Sequence, residues 1–237
     1  MIYAKNICLS LGRNVILDDV SFSIEAGQYV GLIGPNGAGK TSLIKTILGL
    51  YKPTSGSVEM TPGNRIGYVP QSYSLSSVVP ISVFEVLRMS GIKDKKLLEK
   101  NLLKVGLQAE FLQQNFHQLS GGQKQRVIIA RSLCQEPNLI IFDEPLNGVD
   151  FETKIKIYDL LSQLNRSENV TILFVSHEVD HIFDRCHHIL CLNKTMHTGC
   201  HPLDFAKGNH TQCPILATAP KIVPIHHHHH DQSSACC

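Results

Sequence analysis

Gly34-Pro35-Asn36-Gly37-Ala38-Gly39-Lys40-Thr41-Ser42 constrains this chain more than any other stretch. Gly34, Gly39, Lys40 and Thr41 stand at the fixed positions of G-x-x-x-x-G-K-[ST]. The glycines let successive backbone N–H groups turn inward around a phosphate, and Lys40 brings a point charge to the β- and γ-phosphates. The Thr41 hydroxyl is placed to ligate Mg²⁺. A glycine-rich turn before an ordinary helix would show the same glycines, so the flanks decide. Tyr29-Val30-Gly31-Leu32-Ile33 reads as a buried strand, and Leu43, Ile44, Ile47 and Leu48 recur at helical spacing. The chain therefore enters the loop from a strand and leaves it in a helix whose N-terminus adds to the anion site. Nucleotide binding is the expectation.

The other apolar runs extend that pattern. Residues 7–11 and 20–24 read as short strands, followed by residues 57–60 and 65–69. From Pro80 the texture becomes helical, with Ser82 and Glu85 spaced as a capping box. Residues 93–104 are charged, with Leu97, Leu98, Leu102 and Leu103 expected on one side. A further helix opens at Leu119-Ser120-Gly121-Gly122, a strand at 139–142 ends in Asp143-Glu144, and a helix covers roughly 152–165. The strand 170–175 ends in Ser176-His177. Strands alternating with helices predict a mainly parallel sheet covered on both faces. Functional residues belong at the carboxyl ends of such strands, where Gln71, Asp143, Glu144 and His177 fall. Asp143 is the expected second Mg²⁺ anchor and Glu144 the candidate base for an attacking water.

Composition narrows the partners. Net charge is +2 among 237 residues, which argues against a nucleic-acid binder working through electrostatics. No apolar run approaches the ~18 residues of a membrane span, and the start at Met1-Ile2-Tyr3 lacks a signal peptide's apolar core. A soluble chain is expected, with any membrane role carried by partners. The 8 cysteines then read as thiols or metal ligands rather than a disulfide framework.

Taken in order, residues 34–42, Gln71, Leu119-Ser120-Gly121-Gly122-Gln123, the run ending in Asp143-Glu144, Asp150 and His177 resemble an ATP-binding cassette (ABC) ATPase. The resemblance covers residues 1 to about 200, and the Leu-Ser-Gly-Gly-Gln element is its most specific part. It implies a P-loop NTPase core with a mainly parallel sheet, an N-terminal antiparallel β-subdomain and a small helical subdomain inserted at about 80–135. It also implies two copies arranged head to tail, with Ser120 and Gly122 of one facing the γ-phosphate held by the other. Gln71 would then sense Mg²⁺, His177 would contact the γ-phosphate, and Asp150 would lie in the loop crossing the interface. Partners would be integral membrane permease subunits at the cytoplasmic face of the inner membrane.

Two departures from the family pattern stand out. Leu11 occupies the position where an aromatic usually stacks on adenine, and the loop before Asp150 reads Leu146-Asn147-Gly148-Val149. That variant, the free-standing format and the segment Cys186-His187-His188-Ile189-Leu190-Cys191 resemble the zinc/manganese importer group. The resemblance implies a transition-metal cargo delivered by a periplasmic or surface metal-binding protein. A soluble ABC ATPase, as in iron–sulfur assembly, or a transporter of another substrate remains the alternative. A cassette at 1–205 and a poorly ordered tail at 206–237 are expected. The histidines at 226–230 and Cys236-Cys237 in that tail read either as a tag remnant or as native metal-binding sequence.

Overall fold

The computed structural model describes residues 1–71, 73, 80–144, 146, 149–176 and 185–200, without the side chains of the last two. Strands β1 (Ile2–Leu11) and β2 (Asn14–Ile24) form an antiparallel hairpin, with β4 (Ser55–Met60) on the other side of β1. These strands are longer than the alternation predicts. The left-handed backbone of Asn6 (φ 48°) and Asp19 (φ 51°) and the register shifts near them bulge both strands. A bulge breaks period 2, so only the segments with unbroken alternation were visible. The Asn6 amide holds the bulges together by donating to Asp19 Oδ1 at 2.7 Å.

The main sheet runs in the order β5 (Ile66–Val69), β6 (Leu139–Asp143), β7 (Thr171–Val175), β3 (Tyr29–Ile33), β8 (His188–Asn193), β9 (Thr195–Cys200). All pairs are parallel except β8–β9. Strands β3, β6 and β7 are buried along their whole length. Their side chains part by parity between two cores, as the pleat requires. Val30, Leu32, Ile141, Leu173 and Val175 face the hairpin sheet and α1 (Lys40–Ile47). Tyr29, Ile33, Ile140, Phe142, Ile172 and Phe174 face the remaining helices. There the Phe142 and Phe174 rings stack with centroids 5.7 Å apart.

The remaining helices are α2 (Val83–Arg88), α3 (Lys95–Lys104), α4 (Gly121–Leu133) and α5 (Phe151–Glu168). Between α3 and α4 lie two 3-10 turns, Ala109–Gln113 and Phe116–Gln118. The expected capping box of Ser82 with Glu85 forms, and Ser120 forms a second one with Gln123. On α3, Leu98 and Leu102 are buried but Leu103 is exposed, against expectation. Residue 103 lies one helical step round from 102, outside a stripe set by 98 and 102.

Strands β8 and β9 were not expected, because their stretch reads first as histidines and cysteines. Ile189, Leu190, Cys191 and Leu192 are all buried, so β8 is a core strand lying against β3. Among the described residues no helix is long and apolar enough to cross a membrane.

Candidate nucleotide site

The phosphate loop is shaped by its neighbours as much as by its own glycines. Gly34 follows β3 directly, and a Cβ there would run into the Leu192 carbonyl of β8. Close approach, rather than an unusual φ, requires glycine at that position. Gly37 (φ 82°) and Gly39 (φ 97°) need it for conformation, because both lie in the left-handed region. Gly39 also has no room to spare, since a Cβ there would sit 3.0 Å from the Ile16 carbonyl. The loop is braced from behind. The Ala38 N–H donates to Pro35 O at 3.1 Å, and the Lys194 N–H, from the β8–β9 turn, donates to Ala38 O at 3.1 Å. Gly39, the N-cap of α1, offers no side chain to cap the helix. The first-turn N–H groups are left to an anion.

Lys40, the first residue of α1, is buried, and its ammonium donates to Gly34 O at 2.8 Å and Pro35 O at 3.2 Å. It also pairs with Glu144 Oε1 at 3.1 Å. The other Glu144 oxygen, Oε2, accepts from Gln71 Nε2 at 3.0 Å. Glu144 follows β6 in a left-handed conformation (φ 48°), held by its N–H donating to Val175 O at 3.1 Å. Such a backbone disfavours a non-glycine residue by about 1–2 kcal/mol and is kept where the surroundings over-determine it. Here it turns the carboxylate from the sheet toward the loop.

One residue earlier, Asp143 Oδ1 accepts from the Thr41 hydroxyl at 3.3 Å and Oδ2 accepts from the Tyr68 hydroxyl at 3.4 Å. Burial pushes the Asp143 carboxyl above the usual aspartate range, against the lowering effect of the Thr41 hydrogen bond. Burial and then the Asp143 charge push the Tyr68 phenol up to about 12. Thr41 and Asp143 therefore present neighbouring hard oxygen donors, the kind Mg²⁺ takes.

Asn36, Gly37, Ala38, Gly39, Lys40, Thr41, Ser42, Gln71 and Glu144 line one cavity of about 330 Å³, together with Ile16 of β2. The phosphate loop, the end of β5 and the end of β6 thus converge as the sequence predicts. Ser120 and Gly122 do not line it. Ser120 caps α4, and a Cβ on Gly121 would meet nothing within 4 Å, so nothing inside the chain demands glycine there. Asp150 caps α5, accepting from the Thr153 N–H at 2.9 Å. That backbone hydrogen bond is the main cause holding its carboxyl below the usual range. His177 lies outside the described residues.

Leu11 is 44% exposed and is not part of the cavity wall, whereas Ile16 is. Ile16 and Tyr68 are the site residues that sequence reasoning missed, and neither carries a local signal. Of the described histidines and cysteines of 186–197, Cys186, His187 and Cys191 serve the fold. Cys186 and Cys191 are buried, and burial holds the Cys186 thiol well above its ordinary range. His187 Nδ1 accepts from the Tyr29 N–H at 2.9 Å. Among the described residues no three His, Cys, Asp or Glu side chains converge on a metal position.

Known proteins are similar to this chain in sequence and fold. The ABC transporter family model matches residues 17–147. The zinc import ATP-binding protein ZnuC 1 of Aliivibrio fischeri is 40% identical over 188 residues, 79% of this chain and 73% of that protein. ZnuC of Yersinia enterocolitica is 39% identical over 195 residues, 82% of this chain and 77% of that protein. A bacterial ABC transporter cassette solved as a dimer is 28% identical with TM-score 0.70, covering 82% of this chain and 96% of that one. The fold is shared as well with a metal-chelate type ABC transporter in an inward-facing conformation, at TM-score 0.78 and 24% identity, over 89% of this chain and 88% of that one. A phosphate loop seated on β3, an acidic pair closing β6 and this extent of identity leave one assignment: the chain belongs to the ABC transporter family, as an ATP-hydrolysing cassette.

Proposed function

We propose that this cassette energises uptake of a transition metal ion, zinc first among the candidates, through partner permease subunits. The observation that carries it is the identity of about 40% to zinc import ATP-binding proteins over most of both chains. Disrupting the gene is expected to remove high-affinity uptake of radioactive zinc and leave manganese and iron uptake intact. Unchanged zinc uptake would sink the zinc reading, and loss of manganese or iron uptake instead would reassign the cargo.

In the proposed mechanism the loop N–H groups and Lys40 hold the triphosphate, and Thr41 and Asp143 would hold Mg²⁺, which would neutralise phosphate charge. Gln71 senses that cluster from the end of β5. Glu144 positions the attacking water and accepts its proton, and His177 steadies the γ-phosphate. Ser120 and Gly122 serve the site of a second copy. The open surroundings of Gly121 support that arrangement, because glycines without an internal purpose suit close approach from outside. The permeases place the pair at the cytoplasmic face of the membrane, and a metal-binding protein outside feeds them. Residues 80–135 act as the inserted helical lobe of a cassette spanning 1–205.

Among the described residues Ile16 is the large apolar side chain lining the cavity and no aromatic lines it, and aromatic stacking contributes about 1–3 kcal/mol per base. Selectivity is expected to be shallow, with kcat/KM for GTP within about fivefold of that for ATP. A preference for ATP of about 100-fold or more would show that another group reads the base.

A further inference from the structure

We propose that Tyr73 is a positioning residue that ties the helical lobe to Gln71 and, through it, to Glu144; this rests on the ATPase reading above. Tyr73 is held on three sides. Its hydroxyl accepts from Arg131 Nη1 of α4 and donates to Met89 Sδ at 3.3 Å, just past the end of α2. The Arg131 guanidinium carbon lies 4.8 Å from the ring centroid. On another side the Phe116 ring meets it edge-on, with centroids 6.2 Å apart and planes at 82°. Both hydrogen-bonding capacities of the hydroxyl and two sides of the ring are therefore committed to the lobe.

Gln71 is two residues earlier, and two residues reach at most about 7 Å. Its amide is the group that donates to Glu144 Oε2. A chain fixed to the lobe at 73 and to the hydrolytic carboxylate at 71 leaves little slack between them. Helix α4 extends the connection in the other direction, since it carries Ser120 at its N-cap and Arg131 in its last turn. A helix transmits displacement along its axis as a nearly rigid rod. A push on Ser120 reaches Arg131, then Tyr73, then Gln71, and shifts the hydrogen bond that holds Glu144 beside Lys40. The engagement of one copy's Ser120 would thus be felt at its own carboxylate as well as at its neighbour's phosphate.

A merely structural Tyr73 would lower stability and leave turnover per folded molecule unchanged. The test measures kcat and KM for ATP, with melting temperature, on the full chain and on Tyr73→Ala, Tyr73→Phe, Gln71→Ala, Arg131→Lys and the Gln71→Ala/Tyr73→Ala pair. Tyr73→Ala is expected to lower kcat about tenfold with KM within about twofold, since misplacement reaches only the reacting step. Tyr73→Phe, which keeps the ring and the fold, should fall between it and the parent, and Arg131→Lys should retain more activity than Tyr73→Ala. In the Gln71→Ala background, Tyr73→Ala should change kcat no further, because both act through one connection. Multiplying effects in the pair, or parental kcat in both Tyr73 variants, would overturn the proposal alone. A parent chain releasing no phosphate above a Lys40→Met control would overturn the ATPase reading and this proposal with it.

Discussion

Glu144→Gln is expected to lower ATP turnover at least about 100-fold while nucleotide binding is kept or tightened. The substitution removes the carboxylate proposed to take a proton from the attacking water. It also removes the negative charge that sits 3.1 Å from the Lys40 ammonium. Lys40 has to turn from that carboxylate toward phosphate oxygens, and with glutamine the competition between the two ends. Titration with a fluorescent ATP analogue and a phosphate-release assay separate the two effects. In size-exclusion chromatography with ATP and Mg²⁺, the variant is expected to elute as a dimer that the parent forms only transiently. Near-normal turnover would remove Glu144 from its assigned role. Weaker binding would show that the carboxylate helps Lys40 rather than competing for it.

Lys40→Met is expected to weaken ATP binding about 100-fold and to abolish measurable hydrolysis, as charge-assisted hydrogen bonds to the phosphates disappear. A second effect comes from the fold. The ammonium and the carboxylate are both nearly buried, so methionine takes the Lys40 charge away from beside Glu144. Breaking a buried pair from one side destabilises by about 3 kcal/mol, which lowers the melting temperature by several degrees. The double variant Lys40→Met/Glu144→Gln should regain that stability without regaining ATP binding. Thermal unfolding and nucleotide titration of the three variants check both statements. If the double variant melts no higher than Lys40→Met, the pair does not explain the loss.

Most of the site was legible because its parts are local. The phosphate loop, the Ser82 capping box and the acidic pair after an apolar run each depend on spacing within a few residues. What was not legible depends on distant segments meeting. The left-handed backbone of Glu144 reflects where Val175 lies. The glycine at 34 is explained by a carbonyl of Leu192, more than a hundred residues on. The ends of β1 and β2 were lost because bulges at Asn6 and Asp19 break the alternation that marks a strand. In β8 the imidazoles and thiols suggested metal ligation, while the alternation that would mark a strand is missing because the strand is buried on both faces. Leu11 was assigned a place by analogy with a family position, and the cavity wall instead uses Ile16, five residues further along the hairpin.

The strand that carries the phosphate loop lies between β7 and β8, and the loop's rear support comes from the turn after β8. Both arrive late in the chain. On the ribosome, residues 34–42 emerge early, yet β3 lacks one flank until residues 188–191 have been made. The Lys194 brace follows only after that. A nascent chain therefore carries the nucleotide-binding sequence without a finished cradle until residue 194 has been added. ATP binding is expected only once residue 194 has been made, so its binding energy is available to lock the assembled sheet and is not spent on shorter fragments.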